Sequence, residues 1–417
     1  MSSVLWPQVR SRFVFPQRDT RGVGAPLASA TKDGVILRDD LDISVWNPGS
    51  DVSNYKLVER NDFVIGLRSF QHGISHSEVR GIVSPAYTVL RGTEAVYPRF
   101  FRYYFRSAIF ISQLANLTQG IRQGQSIDIE AFADLEIPIP HLEDQRRIAD
   151  FLDAETARID TLMAIRLSQT SALGELELAR IGHHLSGAEL SRKRIDTSWS
   201  WLPSIPEGWS IGPVYAYFDV QLGKMLNGER ASGEYQQPYL RNANVHWYEV
   251  DIQDLATMSF PPYERARYGV RVGDLLVCEG GAGVAEAAVW DGRTSMCFYQ
   301  KSLHRVRAIG GLPVEWLMYW LRFAKAAGVF EADGNIATIP HLTGEQLAEY
   351  RIPIPGDGHS RVAELSSEIA AIRRAQQVMA TANTMLAERR QALITAAVTG
   401  QIDVTTARGL ASAGGVA

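Results

Sequence analysis

The string IPIP occurs at 137–140 and again at 352–355, and each copy stands between a mixed α/β segment and a long segment of helical period. One shift of about 215 residues lays YPRFFRYYFR (97–106) over LPVEWLMYWLR (312–322), and Asp62, Phe63, Val64 and Ile65 fall on Asp274, Leu275, Leu276 and Val277 within a few residues. That period far exceeds the roughly 20–50 residues of solenoid repeats. Each copy is therefore expected to be a domain plus a connector, and the chain to be pseudo-two-fold symmetric.

A chain of 417 residues with 46% hydrophobic residues has room for two to four domains with real cores. No basic stretch leads into an apolar run at the N-terminus, and no window approaches the roughly 18 apolar residues of a membrane span. The expected compartment is the cytoplasm, with no membrane partner. Cys278 and Cys297 lie in strand-like runs (DLLVCE, SMCFYQ) and read as buried, reduced thiols. The formal net charge of −4 argues against a protein that coats nucleic acid by electrostatics alone. Residues 1–140 carry 15 basic and 14 acidic side chains and residues 199–355 carry 13 and 17, so neither module is basic. A DNA-binding role would need help from partners.

Short apolar strands over 63–67 and 82–90, a helix over 97–117 and a proline-bounded strand over 136–140 make the first module α+β. After residue 142 the period changes. Ile148, Leu152, Ile159, Leu162, Leu173 and Leu176 step by threes and fours, interrupted by Glu155, Arg166 and Gln169. This predicts a helix of about 35–40 residues, roughly 55 Å long. A second such stripe runs through Val362, Leu365, Ile369, Ile372, Met379, Leu386 and Leu393, with Gln376, Asn383 and Arg390 as polar interruptions. The economical arrangement is an antiparallel coiled coil in which residues such as Asn383 fix register; the alternative is that each helix packs on its own module. Between them, SWSWLPSIPEGW (198–209) reads as a linker. The tail, 405–417, reads as disordered.

Three catalytic constellations are incomplete. FPPY at 260–263 resembles the NPPY loop of amino-methyltransferases, but Phe260 stands where an amide or carboxyl oxygen must accept the target amine. GGAGVAE, with Gly280, Gly281 and Gly283, lacks the spacing of a dinucleotide fingerprint and reads as a tight turn. No lysine has Asp or Glu two positions before it, so the carboxylate-x-lysine end of a metal-dependent nuclease core is missing. The chain is expected to catalyse nothing by itself and to hold no cofactor.

IPIPHLEDQRRIADFLDAETARID (137–160), WLPSIPEGW, PYLRNANV (238–245) with VGDLLVCEGG downstream, and ERRQALITAAVTGQIDV (388–404) together resemble the specificity subunit of bacterial type I restriction-modification systems. The resemblance covers nearly the whole chain, although the first module has only a trace of the WLPSIPEGW-type opening. It implies an α+β chain of two tandem α/β target-recognition domains, 1–141 and 198–356. Two long helices, 142–197 with its linker and 357–404, would join them as an antiparallel coiled coil. It also implies a non-catalytic DNA-recognition subunit for a bipartite target, each domain reading one half-site and the helices setting the spacing. Double-stranded DNA, two modification (methyltransferase) subunits and translocating restriction subunits are the implied partners.

Base readout needs bidentate or amide side chains on loops that reach a groove. In the first module the candidates are Arg68, Ser69, Gln71 and His72, after the strand, and Arg122, Gln123 and Gln125 in a glycine-flanked loop. In the second they are Arg241, Asn242 and Asn244 in PYLRNANV, Lys301, His304 and Arg305 in YQKSLHRVR, and Thr338 and His341. Arg99, Arg102 and Arg106 share one helical face. Glu315, Met318 and Arg322 hold those places in the repeat, which favours solvated arginines on an amphipathic helix over a phosphate stripe. Two other readings stay open: a self-contained DNA methyltransferase or nuclease with degenerate motifs, and a coiled-coil scaffold without DNA readout.

Overall fold

The computed structural model describes residues 6–22, 24–41, 52–119, 126–294, 296–332 and 341–404. It divides into two compact units, Met1–Leu167 with Ala380–Ala417, and Ser168–Met379.

In the first unit the opening strand Gln8–Arg10 pairs antiparallel with Glu136–Pro138, setting Val9 opposite Ile137. The first IPIP string thus closes the module onto its own beginning. Between these ends lies an antiparallel sheet in the order Gln17–Arg18, Thr88–Arg91, Asp62–Ile65, Ser75–His76. Strand alternation sorts its side chains. Phe63, Ile65 and Leu90 face a core with Phe15, Phe100, Phe101, Phe105 and Phe110, while Val64 and Val89 face Ala28, Val35, Val58 and Val83.

The second unit repeats this order. Ser210–Pro213 pairs with Arg351–Ile354, setting Ile211 opposite Pro353, and the sheet runs Phe218–Leu222, Leu303–Ala308, Leu275–Cys278, Ala287–Val289. Leu275, Val277 and Val306 face one core, and Leu276, Cys278 and Leu303 the other. An additional three-stranded sheet, Ala256–Ser259, Gln236–Leu240, Phe298–Tyr299, belongs to this unit.

The duplication extends to single side chains. Asp62 accepts hydrogen bonds from the Glu59 amide (2.8 Å) and Arg91 Nε (2.6 Å); Asp274 accepts them from the Arg271 amide (2.7 Å) and Arg307 Nε (2.6 Å). Each buried carboxylate caps the turn before its strand and neutralises an arginine on the next one.

Local chemistry overrides three expectations. The helix over 97–117 is two, Pro98–Tyr104 and Ala108–Ala115, because Ser107 caps the second by accepting from the Phe110 amide (3.3 Å). The strand over 82–90 is also two, Gly81–Val83 and Thr88–Arg91, parted by a turn in which the Tyr87 amide donates to Ser84 (3.0 Å). The linker over 198–209 is largely a hairpin, Arg194–Trp199 with Leu202–Pro206, which turns through Ser200 and Trp201 and carries a bulge at Ser198, φ 63°.

The long helices are Leu142–Ser186 and Gly358–Val398. In the first unit Ile148, Ala149 and Leu152 of one share a core with Ile394, Ala397 and Val398 of the other. In the second, Ile181 and Leu185 share a core with Val362, Leu365, Ile369 and Ile372. Arg390 donates to Asp160 (2.9 Å) in the first unit; in the second, Thr170 meets Met379 and Arg180 lies 3.8 Å from Glu368. One number rises as the other falls, so the pairing is antiparallel. Helix-to-helix and helix-to-module packing, posed as alternatives, coexist within each unit. Asn383 Oδ1 finds no partner among the described residues, whereas Arg390, also expected as an interruption, makes a cross-helix ion pair. Leu162 and Leu176 are about two-fifths exposed rather than on a buried seam, because the stripe is covered only where a module or the paired helix lies over it. Residues 405–417 lie outside the described residues.

Candidate nucleic-acid interface

The first unit presents its candidates on the turn after strand Asp62–Ile65. Ser69 Oγ accepts from the Gly66 amide (2.8 Å) and is buried, which fixes the short helix Ser69–His72 and points Arg68, Gln71 and His72 outward into solvent. Gly73 ends that helix at φ 80°, where a Cβ would stand 2.0 Å from the Phe105 carbonyl oxygen. Gln71 and His72 line a cleft of about 830 Å³ with Lys32, Arg102, Arg106 and Arg390; Arg68, His72 and Lys32 line a second of about 640 Å³. Arg122, Gln123 and Gln125 lie outside the described residues.

The three arginines of the first repeat segment are half-buried and engaged by partners, rather than freely solvated. Arg99 Nε donates to Asp153 (2.8 Å) and its Nη1 lies 3.0 Å from Asp150; Arg102 bonds Asp153 and Glu78; Tyr103 donates its hydroxyl to Asp153 (2.6 Å). Burial works against ionisation of Asp153, but Tyr103, Arg99 and Arg102 together hold it below the usual carboxylate range. Arg106 has a backbone partner, the Thr31 carbonyl (3.2 Å), and burial pushes it down. The helix docks on the first long helix by charge as well as by its aromatic face.

In the second unit burial removes several candidates from the groove-facing set. Asn244 is 2% exposed and staples its own loop, accepting from the Arg241 amide (3.1 Å) and donating to the carbonyls of Asp251 (3.0 Å) and Asp254 (3.1 Å). Arg305 lies in the sheet, donating to the Arg267 carbonyl (2.9 Å) and Gln221 (2.7 Å). His304 is buried with Nε2 2.8 Å from the Leu342 carbonyl oxygen, and burial lowers its pKa. These three, with Ser69, hold loops in place instead of reaching out. The strand Leu303–Ala308 explains two of them: His304 and Arg305 point to opposite faces of a sheet covered on both sides, so both are buried. Arg241 is half-exposed in an ion pair with Asp254 (2.6 Å), and Asn242 donates to the Gly280 carbonyl (2.8 Å). Lys301 and His341 are exposed, the latter 3.6 Å from Glu279; Thr338 lies outside the described residues.

Phe260 is buried and stacks on Phe298 with ring centroids 4.3 Å apart, so its ring belongs to the core, while Tyr263 at the other end of FPPY is exposed. The glycine loop is a tight turn, with Gly281 at φ 77° accepting from the Val284 amide (3.1 Å). Burial pushes the Cys278 thiol up to about 12 and that of Cys297 to about 11.

His76, beside the larger cleft, has its pKa pushed down to about 4 by burial and then by the nearby Arg102. The unfolded chain takes up this proton below about pH 6.5, but the folded one refuses it until about pH 4. Its contribution to stability is therefore complete above pH 6.5 and is lost as the pH falls toward 4. Denaturation midpoints measured across that window should fall with acidification, and His76→Gln should flatten the slope.

Sequence reading missed Lys32, on the turn of the hairpin Ala28–Thr31 with Gly34–Leu37, and the helix carboxylates Asp153 and Glu177. Lys32 stands beside Asp33 in an otherwise unremarkable turn, and a carboxylate on a long helix looks like its solvated face.

Residues 84–169 match the family described as Type I restriction modification DNA specificity domain. No curated protein matches the sequence. Among solved structures, the fold is shared with a chain from work on complex assembly and conformational transition of the type I R-M system. That match has a TM-score of 0.71 at 19% identity and covers 96% of this chain and 100% of that one. The HsdS subunit from Thermoanaerobacter tengcongensis gives a TM-score of 0.51 at 17% identity, over 95% and 97% of the two chains.

Proposed function

We propose, from the premise that this chain carries a type I DNA specificity domain in the fold of a specificity subunit, that it selects a bipartite target in double-stranded DNA for a modification and restriction complex. Each unit reads one half-site, and the paired helices set the distance between them. Two methyltransferase subunits and the translocating restriction subunits dock on the chain and supply the chemistry, in the cytoplasm.

The observation that carries this reading is a duplicated scaffold with unlike exposed loops. The two units share strand order, closing strand and buried aspartate, yet one presents Arg68, Gln71 and His72 and the other Lys301 and His341. A common frame with different polar tips is what reading two different sequences requires. The net charge of −4 fits a subunit whose partners provide most phosphate contacts, the term that dominates DNA affinity.

The test is selection of bound DNA from a randomised library by the full chain reconstituted with its methyltransferase. One split motif is expected, and the chain alone should neither methylate nor cut. Arg68→Ala with Gln71→Ala should relax only one block, and Lys301→Ala with His341→Ala only the other, by about 1–3 kcal/mol per lost base contact. Methyl transfer by the chain alone would favour the enzyme reading, and sequence-independent retention would favour a scaffold.

A further inference from the structure

We propose that Asp153 and Glu177 are positioning residues: each sets the rotation of one recognition module on the first long helix, and together they hold the spacer between half-sites to a single length. The inference rests on the recognition reading above.

Both carboxylates stand on helix Leu142–Ser186, one in each unit. Asp153 gathers Arg99, Arg102 and Tyr103 from the single helix Pro98–Tyr104. Glu177, 4% exposed, accepts on Oε1 from Arg322 Nε (2.9 Å) and the Tyr248 hydroxyl (2.8 Å). Arg322 also lies over the Trp247 ring, 5.3 Å from its centroid, so the guanidinium is fixed on two sides.

These anchors are alike in chemistry but are not inherited from the duplication. Arg99 and Arg102 have Glu315 and Met318 at their places in the repeat, while Arg322 matches Arg106, which bonds the Thr31 carbonyl instead. Each unit has arrived at an arginine and a tyrosine on one helix carboxylate by a different route. Adhesion does not call for this, since Ile148 and Leu152 in one unit and Ile181 and Leu185 in the other already bury apolar surface there. A buried ion pair adds little net stability over apolar packing, but its directionality fixes geometry. Several donors converging on one carboxylate resist rotation of the module about the helix in a way that aliphatic contacts do not.

The experiment places Asp153→Asn and Glu177→Gln, near-isosteric and uncharged, in the full chain co-expressed with its methyltransferase, and maps methylated sites in a library of spacer lengths. Both blocks of the motif should be retained, while preference for the native spacer over its one-base-pair neighbours falls on the order of tenfold, equivalent to about 1.4 kcal/mol. Tyr248→Phe removes one donor and keeps the ion pair; it should shift spacer preference in the same direction by less, and it serves where the charge variants fold poorly. Reduced methylation with an unchanged spacer preference would make the anchors merely structural and overturn the proposal. A wild type without any split motif would overturn the recognition reading, and this inference with it.

Discussion

Asp274→Ala is expected to destabilise the second unit by about 3 kcal/mol, the lower end of the range for breaking a buried ion pair. The carboxylate is 3% exposed and takes both Arg307 Nε (2.6 Å) and Nη2 (2.8 Å) as well as the Arg271 amide (2.7 Å). Its removal leaves a guanidinium inside the sheet and an amide without an acceptor. Asp62→Ala in the first unit should cost less, about 2 kcal/mol. Its partner Arg91 is 48% exposed and can turn to water, whereas Arg307 is 23% exposed. Chemical denaturation of the full chain followed by hydrogen exchange in each unit would separate the two. Equal losses would mean that the arginines are not what the aspartates serve.

Opposite outcomes are expected for one substitution at two glycines. Gly73→Ala should cost about 3–5 kcal/mol, combining an overpacked contact with a left-handed backbone, because its Cβ would sit 2.0 Å from the Phe105 carbonyl oxygen at φ 80°. The casualty is the exit of the Ser69–His72 turn, so recognition by the first module should fail before the second is affected. Gly174→Ala, in the first long helix with nothing within 4 Å of the new Cβ, should stabilise by about 0.5–1 kcal/mol. Thermal unfolding of the two variants beside the wild type decides it, and a destabilised Gly174→Ala would show that this helix position is constrained by something other than its own backbone.

The repeat was legible because duplication leaves whole strings behind: IPIP at each closing strand, and Asp62 and Asp274 at the head of equivalent central strands. The helices were legible because their stripes persist over many turns, although the stripe did not reveal that Leu162 and Leu176 go uncovered. What the sequence hid was mostly decided by one or two residues acting locally. Ser107 splits a helix whose aromatic content reads as continuous, and a turn at Ser200 and Trp201 folds a proline-rich stretch into a hairpin. The polar candidates divide in the same way. In a loop, an asparagine that reads a base and one that staples its own backbone are written alike, and only the carbonyls of Asp251 and Asp254 beside Asn244 tell them apart. Arg305 and His304 read as loop residues because the strand Leu303–Ala308 begins earlier than its polar letters suggest.

The most direct measurement is a genome-wide map of methylated adenines in cells expressing the methyltransferase with and without this chain. The account predicts a split motif, two short specified blocks around a fixed run of unspecified bases, present with the chain and lost without it. A methylation pattern that is the same in both would contradict a role in target selection.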